Sequence, residues 1–74
     1  MPKAFIMVDI QPGSERSVEQ TIRKLPGVKL AYQVTGEHDL IAFFDGEPYE
    51  ELAVTIAGIR RLPGVADTES VLVL

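Results

Sequence analysis

Apolar residues recur along this chain with two different periods. From Ala4 to Ile10 the run Ala-Phe-Ile-Met-Val-Asp-Ile is apolar almost throughout and predicts a strand. Gln11-Pro12-Gly13 is a turn, and Ser14 stands where a side-chain oxygen can cap a helix. Val18, Ile22 and Leu25 then recur at spacings of four and three, one buried face of that helix, which Pro26-Gly27 ends. Val28 to Thr35 alternates and predicts a second strand. Gly36-Glu37-His38 is a tight connection, and Leu40 to Phe44 is a third strand, apolar throughout. After Asp45-Gly46-Glu47, Pro48 suits the first turn of a second helix, where a missing N–H costs nothing. Leu52, Ile56, Ile59 and Leu62 give its buried face, Pro63-Gly64 closes it, and Val65 to Leu74 is the last strand.

The chain also states one phrase twice. Residues 22–28 read Ile-Arg-Lys-Leu-Pro-Gly-Val and residues 59–65 read Ile-Arg-Arg-Leu-Pro-Gly-Val, an offset of 37 in a chain of 74. Each half therefore carries a helix that stops at Leu-Pro-Gly-Val and feeds a strand. The element order β-α-β-β-α-β, joined by right-handed crossovers, predicts an α+β ferredoxin-like sandwich: four antiparallel strands with both helices on one face.

That architecture demands a polar outer sheet face in a monomer, and the sequence does not supply one. Ala4, Ile6, Val8 and Ile10 share one face of the first strand, while Phe5 and Met7 share the other. Leu40, Ala42 and Phe44 oppose Ile41 and Phe43 in the third strand. Val71 and Val73 oppose Leu72 and Leu74 in the last. An apolar sheet face of this extent marks an interface. Phe5, Met7, Ile41, Phe43, Val71 and Leu72 are the candidate interface residues, and dimerisation through the sheet is expected. Size argues the same way: a single 74-residue core is marginal. With no cysteine and one histidine, disulfides and thiolate or histidine-rich metal sites are excluded as staples.

The net charge of −4 lacks the basic stripe that grips phosphates, so direct nucleic-acid binding is not expected. Arg23, Lys24, Arg60 and Arg61 sit near helix C-termini and Glu15, Glu50 and Glu51 near N-termini, a layout that complements the helix dipoles. No leader and no run near ~20 apolar residues appears, so a cytoplasmic chain without membrane association is expected. No nucleophilic triad, phosphate loop or dinucleotide pattern is present, so no catalytic residue, metal or cofactor is assigned. One segment carries recognition chemistry: Val34-Thr35-Gly36-Glu37-His38-Asp39-Leu40 gathers turn amides, a glycine and two acids. Turn amides receive a carboxylate and an acid receives an ammonium, so a zwitterion suits the segment. Spacing by itself favours the blander reading, a hairpin kept soluble by its charges.

The chain resembles the regulatory, amino-acid-binding (RAM-type) domain of the Lrp/AsnC transcription regulators over essentially all of its length. The resemblance rests on the first strand ending at Pro12-Gly13, on Leu25-Pro26-Gly27-Val28, on Ala31 through Leu40, and on Leu62-Pro63-Gly64-Val65-Ala66-Asp67-Thr68-Glu69-Ser70. It implies the same fold, sheet-mediated dimers, further assembly to an octamer or decamer, and effector amino acids bound between dimers near Gly36 to Asp39. By motif, Asp39 is the candidate for polar recognition, with Gly36, Glu37 and His38 shaping the loop. Tyr32, Thr68, Glu69 and Ser70 are further ligand-contact candidates, and Tyr49 falls among the response or assembly positions. Family regulators carry a helix-turn-helix domain ahead of this one; here residues 1–74 are expected to be a single domain without it. The function implied is an amino-acid-responsive, oligomerising module that tunes transcription indirectly, with full-length Lrp/AsnC regulators as candidate partners. The alternatives are a small dimeric enzyme of the cofactor-independent oxygenase kind and an ACT-like metabolic sensor. Aliphatic residues at the inward positions, such as Ile6, Val8, Ile10 and Ile22, disfavour an enzyme cavity.

Overall fold

The computed structural model describes residues 2–74. The elements follow the predicted order: β1 (Lys3–Ile10), α1 (Glu15–Arg23), β2 (Val28–Gln33), β3 (Leu40–Asp45), α2 (Tyr49–Arg60) and β4 (Val65–Leu72). The sheet runs β2-β3-β1-β4 with every neighbouring pair antiparallel, the arrangement of a ferredoxin-like sandwich. The two most apolar strands, β1 and β3, occupy its centre, where both faces need cover.

Alternation decides what is buried. Ala4, Ile6, Val8 and Ile10 of β1, Ala31 of β2 and Leu40, Ala42 and Phe44 of β3 meet Val18 and Ile22 of α1 and Leu52 and Ile59 of α2. Leu25, Val28, Ile56, Leu62 and Val65 close the rim. Both helices stop before the predicted apolar face does. Leu25 and Leu62 lie past the helix ends, in the turns that follow, and pack on the core from there.

The repeated phrase folds twice into the same turn. Lys24, Leu25 and Val28 N–H groups donate to Thr21, Ile22 and Leu25 carbonyls; Arg61, Leu62 and Val65 repeat the pattern onto Gly58, Ile59 and Leu62. Each turn needs a residue with positive φ, supplied by Gly27 (83°) and Gly64 (92°). Both glycines are also sterically required. A Cβ on Gly27 would drive into the Phe44 ring, and one on Gly64 would collide with the Ser14 side chain.

Two expected caps differ in detail. Ser14 occupies the N-cap position of α1, but its hydroxyl makes no capping bond; the Glu15 carboxylate reaches back instead to accept from Gly13 N–H at 2.9 Å. Pro48 is the residue before α2 rather than one inside its first turn. No helix among the described residues is long and apolar enough to cross a membrane. Gly27→Ala combines a positive φ with a clash against a fully buried ring, so it should destabilise the fold by about 2–4 kcal/mol, read as a lower urea midpoint at unchanged slope.

Candidate functional site

The sheet face away from the helices carries an apolar row across its full width. Register places Leu30, Phe43, Phe5 and Val71 in one cross-strand row, and Tyr32, Ile41, Met7 and Glu69 in the next. Phe5 and Phe43 stack at 4.9 Å between ring centroids, tilted by 43°. Phe5 is 40% exposed and Val71 47%, although the core on the other side of the sheet is sealed. Five of the six candidate interface residues lie on this face. Leu72 does not: it pairs with Ala4 and so takes the helix side, where it borders a surface cleft with Pro2, Lys3 and Tyr49.

Polar chemistry gathers at the far end of that face. β1 carries one acid, Asp9, at the position alternation assigns to the Phe5 and Met7 face. The hairpin between β2 and β3 folds His38 onto it. His38 Nδ1 lies 2.8 Å from Asp9 Oδ1, and Nε2 lies 3.2 Å from Glu69 Oε1 on β4. Both ring nitrogens face carboxylates, an arrangement that favours the doubly protonated ring. The hydrogen bond to Asp9 is the main cause that raises the His38 pKa above its ordinary value; the charges of Asp9, Glu69 and Glu37 add to it, and partial desolvation opposes it. A protonated ring also relieves a like-charge contact, because Asp67 sits directly opposite Asp9 in the β1–β4 ladder.

Asp39 acts as a clasp. Its N–H donates to Val8 O at 3.0 Å, its carbonyl accepts from Val34 N at 3.0 Å, and its Oδ2 accepts from Ile10 N at 2.7 Å. Ile10 lies past the last β1–β3 pair, Val8 with Leu40, and beside the shift in the β1–β4 register, so its N–H has no ladder partner there. The Asp39 carboxylate supplies one. Asp39, expected to recognise ligand, thus commits one oxygen to the scaffold, and the residue itself remains exposed. Between Val34 and Asp39, the N–H groups of Thr35, Gly36, Glu37 and His38 make no hydrogen bond among the described residues. Gly36 supplies the positive φ of 106° that the turn requires, and the space a side chain would take there is empty.

The eight candidate ligand residues therefore divide. Gly36, Glu37, His38 and Asp39 form the hairpin, and Glu69 joins it through His38. Tyr32 shares the open face but stands on the edge strand, with the Arg23 guanidinium 5.3 Å from its ring centroid. Thr68 and Ser70 pair with Val8 and Ile6 and take the helix side. Thr68 is buried there, its hydroxyl accepting from Arg60 Nε at 2.9 Å. Sequence reasoning missed Asp9, although a lone carboxylate in an apolar strand is the signal that marks it. Among the described residues no group of three or more His, Cys, Asp or Glu is arranged to hold a metal ion.

Comparison with known proteins agrees with this architecture. A sequence model of the Lrp/AsnC ligand binding domain matches residues 3–74. The chain belongs to the Lrp/AsnC family. It is 32% identical over 73 residues to the HTH-type transcriptional regulator LysM of Saccharolobus solfataricus, covering 97% of this chain and 51% of that protein. This Lrp/AsnC domain thus spans about half the length of the curated relatives it matches, and those relatives are transcriptional regulators. The crystal structure of TTHA0845 from Thermus thermophilus superposes with a TM-score of 0.91 at 35% identity, covering 100% of this chain and 94% of that one. The transcriptional regulator NMB0573 of Neisseria meningitidis, solved as its L-Met complex, gives a TM-score of 0.83 at 26% identity, covering 99% of this chain and 49% of that one.

His38 gives the domain a pH signature. Its pKa is raised in the folded state, so the stability it contributes is complete below about pH 6.5, where the unfolded imidazole is also charged, and is lost as pH rises through the folded value. Urea midpoints should fall between about pH 6 and about pH 9, and His38→Gln should flatten that difference.

Proposed function

We propose that this chain is an amino-acid-responsive effector-binding and oligomerisation module of the Lrp/AsnC type, acting on transcription indirectly. Dimers form through the open sheet face and assemble further, to an octamer or decamer. Small amino acids bind between dimers at the Gly36–Asp39 hairpin. Full-length Lrp/AsnC regulators are candidate partners, since the chain matches about half the length of such regulators.

The observation that carries this reading is the proximity of four hairpin amides, without a hydrogen-bond partner among the described residues, to the Asp9–His38–Glu69 cluster at the margin of an apolar sheet face. The amides and a protonated His38 suit a carboxylate; Asp9, Glu69 and the second oxygen of Asp39 suit an ammonium. The L-Met complex of a family relative supports the ligand class. A site completed by neighbouring dimers couples ligand to assembly, because a ligand that fits only the assembled site favours assembly. An enzyme of the small ferredoxin-like kind needs a chamber between sheet and helices. That space is filled by Ile6, Val8, Ile22, Leu40, Phe44 and Ile59, each fully buried.

Native mass spectrometry with and without a pool of the twenty amino acids tests the ligand. One amino acid retained per subunit, or a change of assembly size, is expected; indifference to every amino acid would reject the effector reading. Phe5→Glu tests the sheet interface separately. A charge trapped in that face costs about 3–5 kcal/mol, which raises the dimer dissociation constant at least about a hundredfold. An unchanged dimer would mean that another surface holds the subunits together.

A further inference from the structure

The hairpin between β2 and β3 reaches a strand that is not its neighbour. In the order β2-β3-β1-β4, β4 lies on the far side of β1 from β3. His38 crosses that distance, with Nδ1 on Asp9 of β1 and Nε2 on Glu69 of β4. Among the described residues no other hydrogen bond or ion pair joins residues 34–39 to β4.

The ties to β1 are of a different kind. Asp39 N–H donates to Val8 O and Asp39 Oδ2 accepts from Ile10 N–H, so the root of the hairpin is held whatever the state of the ring. The tip is not held in this way. At Gly36 nothing lies within 4 Å of the place a side chain would occupy. The tip therefore takes its position from its root and from His38.

Two carboxylates on one imidazole set a condition on charge. Carboxylates only accept, so each ring nitrogen must donate to make its contact. The doubly protonated ring satisfies both. A neutral ring has one N–H, and its other nitrogen turns a lone pair toward a carboxylate oxygen. The contact that survives is the one to Asp9. It is the shorter, 2.8 Å against 3.2 Å, and the Asp9 side chain is 35% exposed against 63% for Glu69. The charged groups that face the ring are all acidic: Asp9 from β1, Glu69 from β4 and Glu37 from the hairpin itself. Asp67 of β4 lies opposite Asp9, and Asp39 turns its carboxylate to Ile10. The one other ion pair among the described residues, Arg23 with Glu19, belongs to α1.

We propose that His38 is a proton-dependent positioning residue: the doubly protonated ring ties the tip of the hairpin to β1 and β4 together, and loss of one proton frees the tip from β4 while Asp39 keeps the root in place. The main-chain amides of residues 35–38 are then held in one arrangement when the ring is charged and in a looser one when it is neutral. The inference rests on the effector reading for its use, because those amides are the groups assigned there to a ligand carboxylate. The movement itself requires no ligand. Its direction follows from the ring. The hydrogen bond to Asp9 raises the His38 pKa, so the tie is complete below about pH 6.5 and is lost as pH rises through the folded value.

Two variants separate a tie from simple charge balance. In Glu69→Gln the side-chain amide accepts from a charged ring and donates to a neutral one, so the tip stays tied throughout the titration. In His38→Gln nothing titrates at that position. NMR of the isotopically labelled full chain, with no ligand present, reads both. Ring carbon shifts give the titration midpoint of His38. Relaxation of the Cα–H bonds of Gly36 and Glu37 gives their order about one pH unit below and above that midpoint. In the unaltered chain their order parameters should fall from about 0.85, the value of rigid backbone, to below about 0.6. Those of Ile6 and Ala42, paired in the centre of the sheet, should stay constant. Each variant should keep one value at both pH settings. Hairpin order that does not change across the ring titration, or a change that persists in either variant, would overturn the proposal. Failure here leaves the effector reading standing, and indifference to every amino acid in mass spectrometry leaves this tie standing.

Discussion

Two helices can cover one face of a four-stranded sheet, and in this chain both faces are apolar. Everything distinctive about the molecule follows from that mismatch. Beneath the helices, Ala4, Ile6, Val8, Leu40, Ala42 and Phe44 are wholly buried, and the packing is complete within one subunit. On the other face the Phe5–Phe43 stack, Ile41, Met7 and Val71 lie side by side, on the side of the sheet away from both helices. Burial of apolar surface is worth roughly 25 cal/mol per Å², so a domain this small leaves a substantial stabilisation unused unless a second copy covers that face.

The polar features are arranged around this constraint. Asp9, Asp67 and Glu69 would repel one another on an exposed sheet end, and His38 resolves the conflict by lying between Asp9 and Glu69. Asp39 pins the hairpin that delivers His38 by completing the hydrogen bonding of β1 where the ladder runs out. Held in this way, the hairpin keeps its Thr35–His38 amides free of internal partners among the described residues. The Asp39 carboxylate thus ties the geometry of the hairpin to the end of β1.

The duplicated helix-stop shows how much one local phrase determines. Ile-Arg-(Lys/Arg)-Leu-Pro-Gly-Val produces the same three turn hydrogen bonds in both halves. The surroundings then diverge. Gly27 lies under Phe44 and Gly64 lies against Ser14, so one turn braces the end of β3 and the other the start of α1. The helices diverge as well: α1 is polar outside, while α2 exposes Val54.

The sequence alone determined the element order, the ferredoxin-like topology, the core and the apolar outer face, because these rest on periodicity and on turn residues whose effects are local. The Lrp/AsnC resemblance was equally legible, and the whole-chain family match agrees with it. What only the tertiary structure decided was which polar residues meet. Asp9 and His38 are 29 residues apart and come together only through the antiparallel pairing of β1 with β3. Thr68 and Glu69 are adjacent in the sequence, yet the pleat sends one to the helices and the other to the hairpin. Leu72 left the predicted interface for the same reason, since register with Ala4 fixes its side. Periodicity reports that a strand has two faces; only the partner strands say which neighbours each face receives.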